Sequence, residues 1–282
     1  MTVELYESTH AVVGEAAVRR ALPRRAHRTV GAWCFLDHFG PAGSSAPLTI
    51  GPHPHIGLQT VTWLLEGELV HSDSLGSEQP IRPGQLNLMS AGRGVVHAED
   101  GRSAAGAGHG VQLWIAQPEA TRHGPAAFEH HAHLPAMSMG AGHATVLTGS
   151  FGGTVSKART DTPLVGVDLV LDGRADLPLE PSYEYAVVVL SGSLVVDATT
   201  VPADTLAYVG AGRDEVRVAA ERTRALLLGG VPFGEEITMW WNFVARSRDE
   251  MDEARAAWEQ ASDRFGTVRT DLARVPAPAL TR

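Results

Sequence analysis

The stretch "HPHIGLQTVTW", running from His53 to Trp63, sets two histidines one residue apart at the head of an alternating apolar run. In a strand, residues i and i+2 point to one face, so His53 and His55 would present two imidazoles side by side. A second stretch, "VVHAE", repeats the spacing with His97 and Glu99. If the two strands are neighbours, three imidazoles and a carboxylate converge. Such a donor set suits one divalent transition metal, Fe(II) first, with Ni, Mn, Cu and Zn as alternatives. Four protein ligands on an octahedral ion leave two positions open for water, substrate or oxygen. Structural zinc normally closes its coordination, often with cysteine. The only cysteine here is Cys34, inside the apolar run "GAWCFLDHF", and it reads as a small buried hydrophobe.

The elements that must position these residues read as strands. Runs such as "LQTVTWLLEGELV", "GQLNLMSAG", "GVQLWIAQP" and "YEYAVVVLSGSLVV" are short, rich in Val, Leu and aromatics, and bounded by Gly, Pro, Asp or Ser. Their regular spacing predicts an all-β barrel or sandwich architecture. An internal repeat is visible. "VTWLLEGELV" (Val61–Val70) resembles "AVVVLSGSLVV" (Ala186–Val196), and "RPGQLNLMSAGRGVVHAE" (Arg82–Glu99) resembles "PADTLAYVGAGRDEVRVA" (Pro202–Ala219). Two copies of one β-module are the simplest account. The Gly/Ser/Thr-rich "GSFGGTVSKARTDTP" marks a boundary, giving a metal-binding module over 1–150 and a degenerate module over 151–282. Only "SRDEMDEARAAWEQASDRF" reads as a helix. Ser247 and Glu250 form a capping-box pattern, and Met251, Ala254, Trp258, Ala261 and Phe265 make one apolar stripe. In the repeat alignment Arg217 stands at the place of His97, Ala219 at that of Glu99, and Glu180 opposite His55. One metal per chain is therefore expected, in the N-terminal module.

The net charge of −9 and the absence of a Lys/Arg run argue against direct nucleic-acid binding. No segment reads as a signal peptide or a membrane span, which makes the cytoplasm the expected location; a monomer is the expected state. There is no phosphate-binding loop and no nucleophile elbow. "FEHHAHLP" holds His130, His131 and His133, which read as surface or interdomain structure rather than a second metal patch. His71 and His109 are candidates for the barrel mouth. His38 in "LDHFG" reads as a structural turn with Asp37.

Taken together, "GPHPHIGLQTVTWLLEGELVHSDSLG" and "RPGQLNLMSAGRGVVHAE" resemble the two motifs of the cupin superfamily, and more narrowly the pirin family of bicupins. "FLDHFGP" (Phe35–Pro41), "LWIAQP" (Leu113–Pro118) and the C-terminal helix fit the same family. The resemblance implies two cupin barrels with a C-terminal helix packed on them, and metal ligation by His53, His55, His97 and Glu99. It also implies a quercetin 2,3-dioxygenase type of reaction, in which O2 opens a flavonol-like ring, with Glu99 as ligand or proton acceptor. Some family members instead imply a metal- and redox-responsive regulator that binds a transcription-related protein or a metabolic enzyme. Where cupins often carry a glutamate four residues after the second histidine, this chain has Gln59, which cannot ionise.

Overall fold

A computed structural model describes residues 3–40, 48–102 and 108–279. Strands dominate, and the one helix among the described residues is Arg248–Glu259. The chain divides into two compact units, each a β-barrel. One comprises Val12–Val18, Phe39–His130 and Gly234–Arg282; the other comprises Met1–Ala11, Arg19–His38 and His131–Phe233. The units interleave in sequence, unlike the linear division at 150/151. One physical reason is pairing: Glu4–Glu7 lies antiparallel to Thr205–Gly210, so the N-terminus completes the sheet built by the second repeat.

In the histidine-bearing unit, Thr49–His55, Val95–Asp100, Leu69–Asp73 and Glu78–Ile81 pair in that order. Leu86–Ser90, Leu58–Glu66 and His109–Ala116 pair in a second sheet. Leu58–Glu66 is buried along all but its last residue, so the alternation of its run does not divide a buried face from an exposed one.

The helix belongs to this unit and not to the one carrying the second repeat. Ser247 caps it, its side chain accepting from the Glu250 N–H, while Glu250 accepts from the Arg246 N–H. Met251, Ala254 and Trp258 are buried as the stripe predicts, and they pack with Ile56, Val96, Phe243 and Phe265. The helix ends at Glu259, short of the expected Phe265. Ala261 takes a left-handed φ of 51°, and the Ser262 N–H bonds back to the Ala257 carbonyl, a closing turn of the Schellman type. Phe265 reaches the same core from beyond that turn. The tail then runs beside the His53 strand, at the edge of its sheet, its Val275 N–H bonding to the Pro52 carbonyl. A Cβ on Gly51 would sit 1.8 Å from the Ala273 carbonyl oxygen, so only glycine admits this approach.

The other unit is a sheet in the order Glu4–Glu7, Thr205–Gly210, Glu184–Val196, Glu215–Gly230, Leu164–Pro178, Gly142–Thr148, Ala136–Met139. Its interior is filled by apolar side chains, among them Val187, Val189, Leu194, Val216, Val218 and Leu227. Arg217 is exposed and pairs with Glu215, while Val216 and Val218 point inward. The position aligned with His97 therefore faces solvent. Glu180 is likewise exposed and accepts from Ser182. Asp37 and His38 lie within the strand Trp33–Phe39 rather than in a turn. Arg20 grips Asp37 through two bonds of 2.8 Å, and His38 meets Asp204 at 3.0 Å.

Candidate metal centre

Register brings the histidines together. Thr49–His55 and Val95–Asp100 are antiparallel neighbours, with His97 opposite His53 and Val95 opposite His55. Directly opposed residues share a face of the sheet. The ring centroids of His53 and His97 are 4.3 Å apart, and those of His55 and His97 are 4.9 Å apart. One nitrogen from each of the three lies within 4.8 Å of the others, the only such His/Cys/Asp/Glu group among the described residues.

Each ring is anchored on its Nδ1 side. The Nδ1 of His53 is 2.9 Å from the Gly51 carbonyl oxygen, and that of His55 is 3.0 Å from the Asn242 carbonyl oxygen. A carbonyl only accepts, so both Nδ1 atoms carry the proton and both Nε2 atoms keep a lone pair. Asn242 sits in the link between Thr238–Trp240 and Phe243–Ala245, next to Trp241 at φ 53°. Left-handed backbone is uncommon for so bulky a residue, and it marks the turn that delivers the carbonyl to His55. The sequence reading missed this contact; "MWWNF" carries no signal of it. The His55 Nε2 faces the His97 Nε2 at 3.0 Å.

Burial pushes the imidazoles toward neutrality. It lowers His53 to about 4 and takes His55 and His97 well below the ordinary histidine value, with neighbouring histidines adding to the effect on the last two. Neutral imidazole is the form that ligates a metal.

Glu99 is buried but stands outside the three-histidine group. It lies two residues beyond His97, a rise of about 6.6 Å along a strand, opposite His71 of Leu69–Asp73. Gln112, from the facing sheet, hydrogen-bonds it. The Gln112 Oε1 accepts from the Thr62 hydroxyl at 2.8 Å, so its amide N–H is left to serve Glu99. The Glu99 Oε1 has no partner. Burial raises its pKa to about 7, against the lowering bond from Gln112.

These residues fit a divalent cation. A buried carboxylate oxygen without a donor is costly, and a cation would supply its partner. Inward lone pairs on buried, neutral rings are the donors a transition ion takes, and a nitrogen/oxygen set without cysteine matches that class.

The remaining candidates fall elsewhere. Gln59 is buried and donates to the Ser90 hydroxyl at 2.8 Å. The His130 ring bonds Asn87 at 2.7 Å, and His130, His131 and His133 enter no metal-ligating group among the described residues. His71, read as a mouth residue, is instead buried, stacked on Phe128 with centroids 4.4 Å apart and in contact with His97. Its signal was the same i, i+2 spacing, here in "VHSD".

Comparison with known proteins matches both halves. The family described as Pirin matches residues 15–115, and the Pirin C-terminal cupin domain matches residues 164–266. A Pseudomonas aeruginosa protein with the provisional name quercetin 2,3-dioxygenase is 45% identical over 90% of this chain and 82% of its own. A pirin-like protein of Caulobacter vibrioides is 36% identical over 90% of this chain and 92% of its own. The crystal structure of a quercetin 2,3-dioxygenase from Acinetobacter baumannii has 42% sequence identity and a TM-score of 0.94, covering 99% of this chain and 96% of that one. Two matched halves, one keeping inward histidines and the other an apolar interior, make this chain a bicupin of the pirin family.

Proposed function

We propose that this chain is a metal-dependent dioxygenase of the quercetin 2,3-dioxygenase type, acting on a small flavonol-like aromatic substrate with O2. The names of its relatives support the reaction class. The observation that carries it is the meeting of three buried imidazoles, with Glu99 buried on the same strand as His97 and its Oε1 without a partner. His53, His55, His97 and Glu99 would hold one divalent ion, Fe(II) first and Ni, Mn, Cu or Zn as alternatives. When bound, the ion supplies Lewis acidity that lowers the pKa of a substrate hydroxyl.

The residues themselves do the rest. The carbonyls of Gly51 and Asn242 orient two of the rings. Gln112 holds one side of Glu99. When Glu99 stands off the metal, its Oε1, on a carboxyl that burial raises to about 7, takes the hydroxyl proton near neutral pH. Burial of the group keeps bulk water from competing for that proton. Among the described residues no helix is long and apolar enough to cross a membrane, and the proposed location is the cytoplasm.

Oxygen uptake with quercetin, on protein of measured metal content, tests the reading. Uptake that scales with bound metal supports it. No uptake by metal-replete protein refutes it and returns the chain to the regulator reading.

A further inference from the structure

A cavity of about 220 Å³ lies between the histidine-bearing sheet, the turn after the helix and the tail. Pro52 and Val96 line it on the sheet side. In the register Pro54 stands opposite Val96, and His97 opposite His53. Pro52 and Val96 therefore share the face turned away from the imidazoles. The cavity stands back to back with the metal centre across one sheet. Trp258 and Phe265, edge-on at 5.7 Å, add an aromatic wall. Two backbone bonds pin the walls to the sheet: the Val96 N–H to the Phe265 carbonyl at 3.1 Å, and the Val275 N–H to the Pro52 carbonyl at 2.9 Å.

Two polar groups in this apolar lining have donors to spare. The Arg274 guanidinium lies 3.4 Å above the Trp258 ring and donates to the Trp258 carbonyl. No carboxylate pairs with it among the described residues. A guanidinium carries five N–H donors, so most of its fork is left for a ligand. The Ser262 Oγ lines the same cavity, buried and without a hydrogen-bond partner. No acidic residue and no histidine lines the space, so its charge is that of Arg274 alone.

These features select a ligand. Stacking on Trp258 fixes the guanidinium plane, and a fixed fork favours a planar, bidentate acceptor such as a carboxylate. An inorganic anion would leave the wall of Trp258, Phe265 and Val96 unfilled. A neutral ring would leave Arg274 unpaired. The volume falls short of the ~300–1,000 Å³ of a drug-sized site, which suits one ring. We infer that this cavity binds a small aromatic carboxylate, its ring on the apolar wall and its carboxylate on Arg274, with the Ser262 hydroxyl as a second donor. With no histidine, carboxylate or cysteine in its lining, the cavity binds its ligand without transforming it. The inference is independent of the reaction proposed above.

Benzoate is the probe, with acetate and benzyl alcohol as partners lacking the ring or the charge. Calorimetry gives affinity, and methyl NMR of labelled valine gives location. Benzoate should bind wild type at about 1 mM or tighter, shift the methyls of Val96 and Val268, and exceed both partners at least about 10-fold. Arg274→Gln should weaken benzoate about 10-fold or more, the worth of a hydrogen bond to a charged group, and Ser262→Ala about 2–10-fold. Thermal unfolding controls for folding, and Ser262→Ala with the three-probe comparison decides if Arg274→Gln unfolds. A carboxylate could instead bind a metal, so His55→Ala is the counter-test: it should keep benzoate binding. Binding lost in His55→Ala and kept in Arg274→Gln places benzoate on the metal centre and overturns the inference. So does benzoate no tighter than benzyl alcohol, or no saturable Val96 shift by about 10 mM.

Discussion

Trp258→Ala should be among the most damaging single changes in the histidine-bearing unit. The indole is 3% exposed and packs with Val96, Phe243, Met251, Ala254 and Phe265. It meets Phe265 edge-on at 5.7 Å, donates its N–H to the Val275 carbonyl at 3.0 Å, and carries the Arg274 guanidinium 3.4 Å above its ring. Removing a buried Trp to Ala costs about 3–5 kcal/mol through lost burial and the cavity left behind. The cation–π contact, about 0.5–2 kcal/mol, pushes the loss toward the upper end. That is a large fraction of the ~5–15 kcal/mol typical of a whole domain. The damage should also have a place. The tail holds to the barrel through Trp258 on one side and through the Val275 N–H to the Pro52 carbonyl on the other. Hydrogen exchange followed by segment should show faster exchange in the tail around Val275 and in Thr49–His55, with Glu215–Gly230 unchanged. Urea unfolding gives the total cost. A loss below about 1 kcal/mol, or a Val275 amide as protected as in wild type, would show that the indole does not anchor the tail.

Other outcomes follow from the same geometry. His55→Ala should lower metal content, measured by elemental analysis, far more than His131→Ala; equal losses would move the site to the "HHAH" stretch. Glu99→Gln keeps size and a coordinating oxygen but removes basicity, so it should retain much of its metal and lose about 10²–10⁴-fold in turnover, the usual worth of a general base; turnover equal to wild type at neutral pH would reduce Glu99 to a dispensable ligand. Burial, aided by Arg19 and opposed by Asp204, holds His38 below its ordinary pKa, so the unfolded chain takes that proton first as pH falls. His38 therefore contributes stability that is present above about pH 6.5 and lost below it, at up to about 1.4 kcal/mol per pH unit. Urea unfolding at pH 7.5 and 5.5 should show a smaller acid loss for His38→Asn than for wild type, and an identical loss would contradict the sign.

Much of this was readable along the chain, because it depends on neighbours in sequence. The i, i+2 spacing marks His53 with His55 and His97 with Glu99 as pairs on a strand; the structure gathers the three imidazoles, while a register shift between His97 and Glu99 leaves the carboxylate outside that group. The cap at Ser247 and the stripe Met251, Ala254, Trp258 follow from helix geometry over a few turns. The likeness of Val61–Val70 to Ala186–Val196 exposes the repeat, and the second copy lacks the histidines of the first. What the chain order could not carry is register between distant strands, since loop closure and burial choose it only when the whole unit packs. Register sets His97 opposite His53 and His71 opposite Glu99. It also brings Gln112 to Glu99, turns Arg217 to solvent, and adds the N-terminal strand to the second barrel. The early end of the helix has the same origin. The apolar stripe continues to Phe265, but the core it must enter lies off the helix axis, and a left-handed Ala261 makes the turn. Sequence periodicity marked the candidate ligands; tertiary packing decided which nitrogen of His53 and of His55 keeps its lone pair and which Glu99 oxygen is left without a partner.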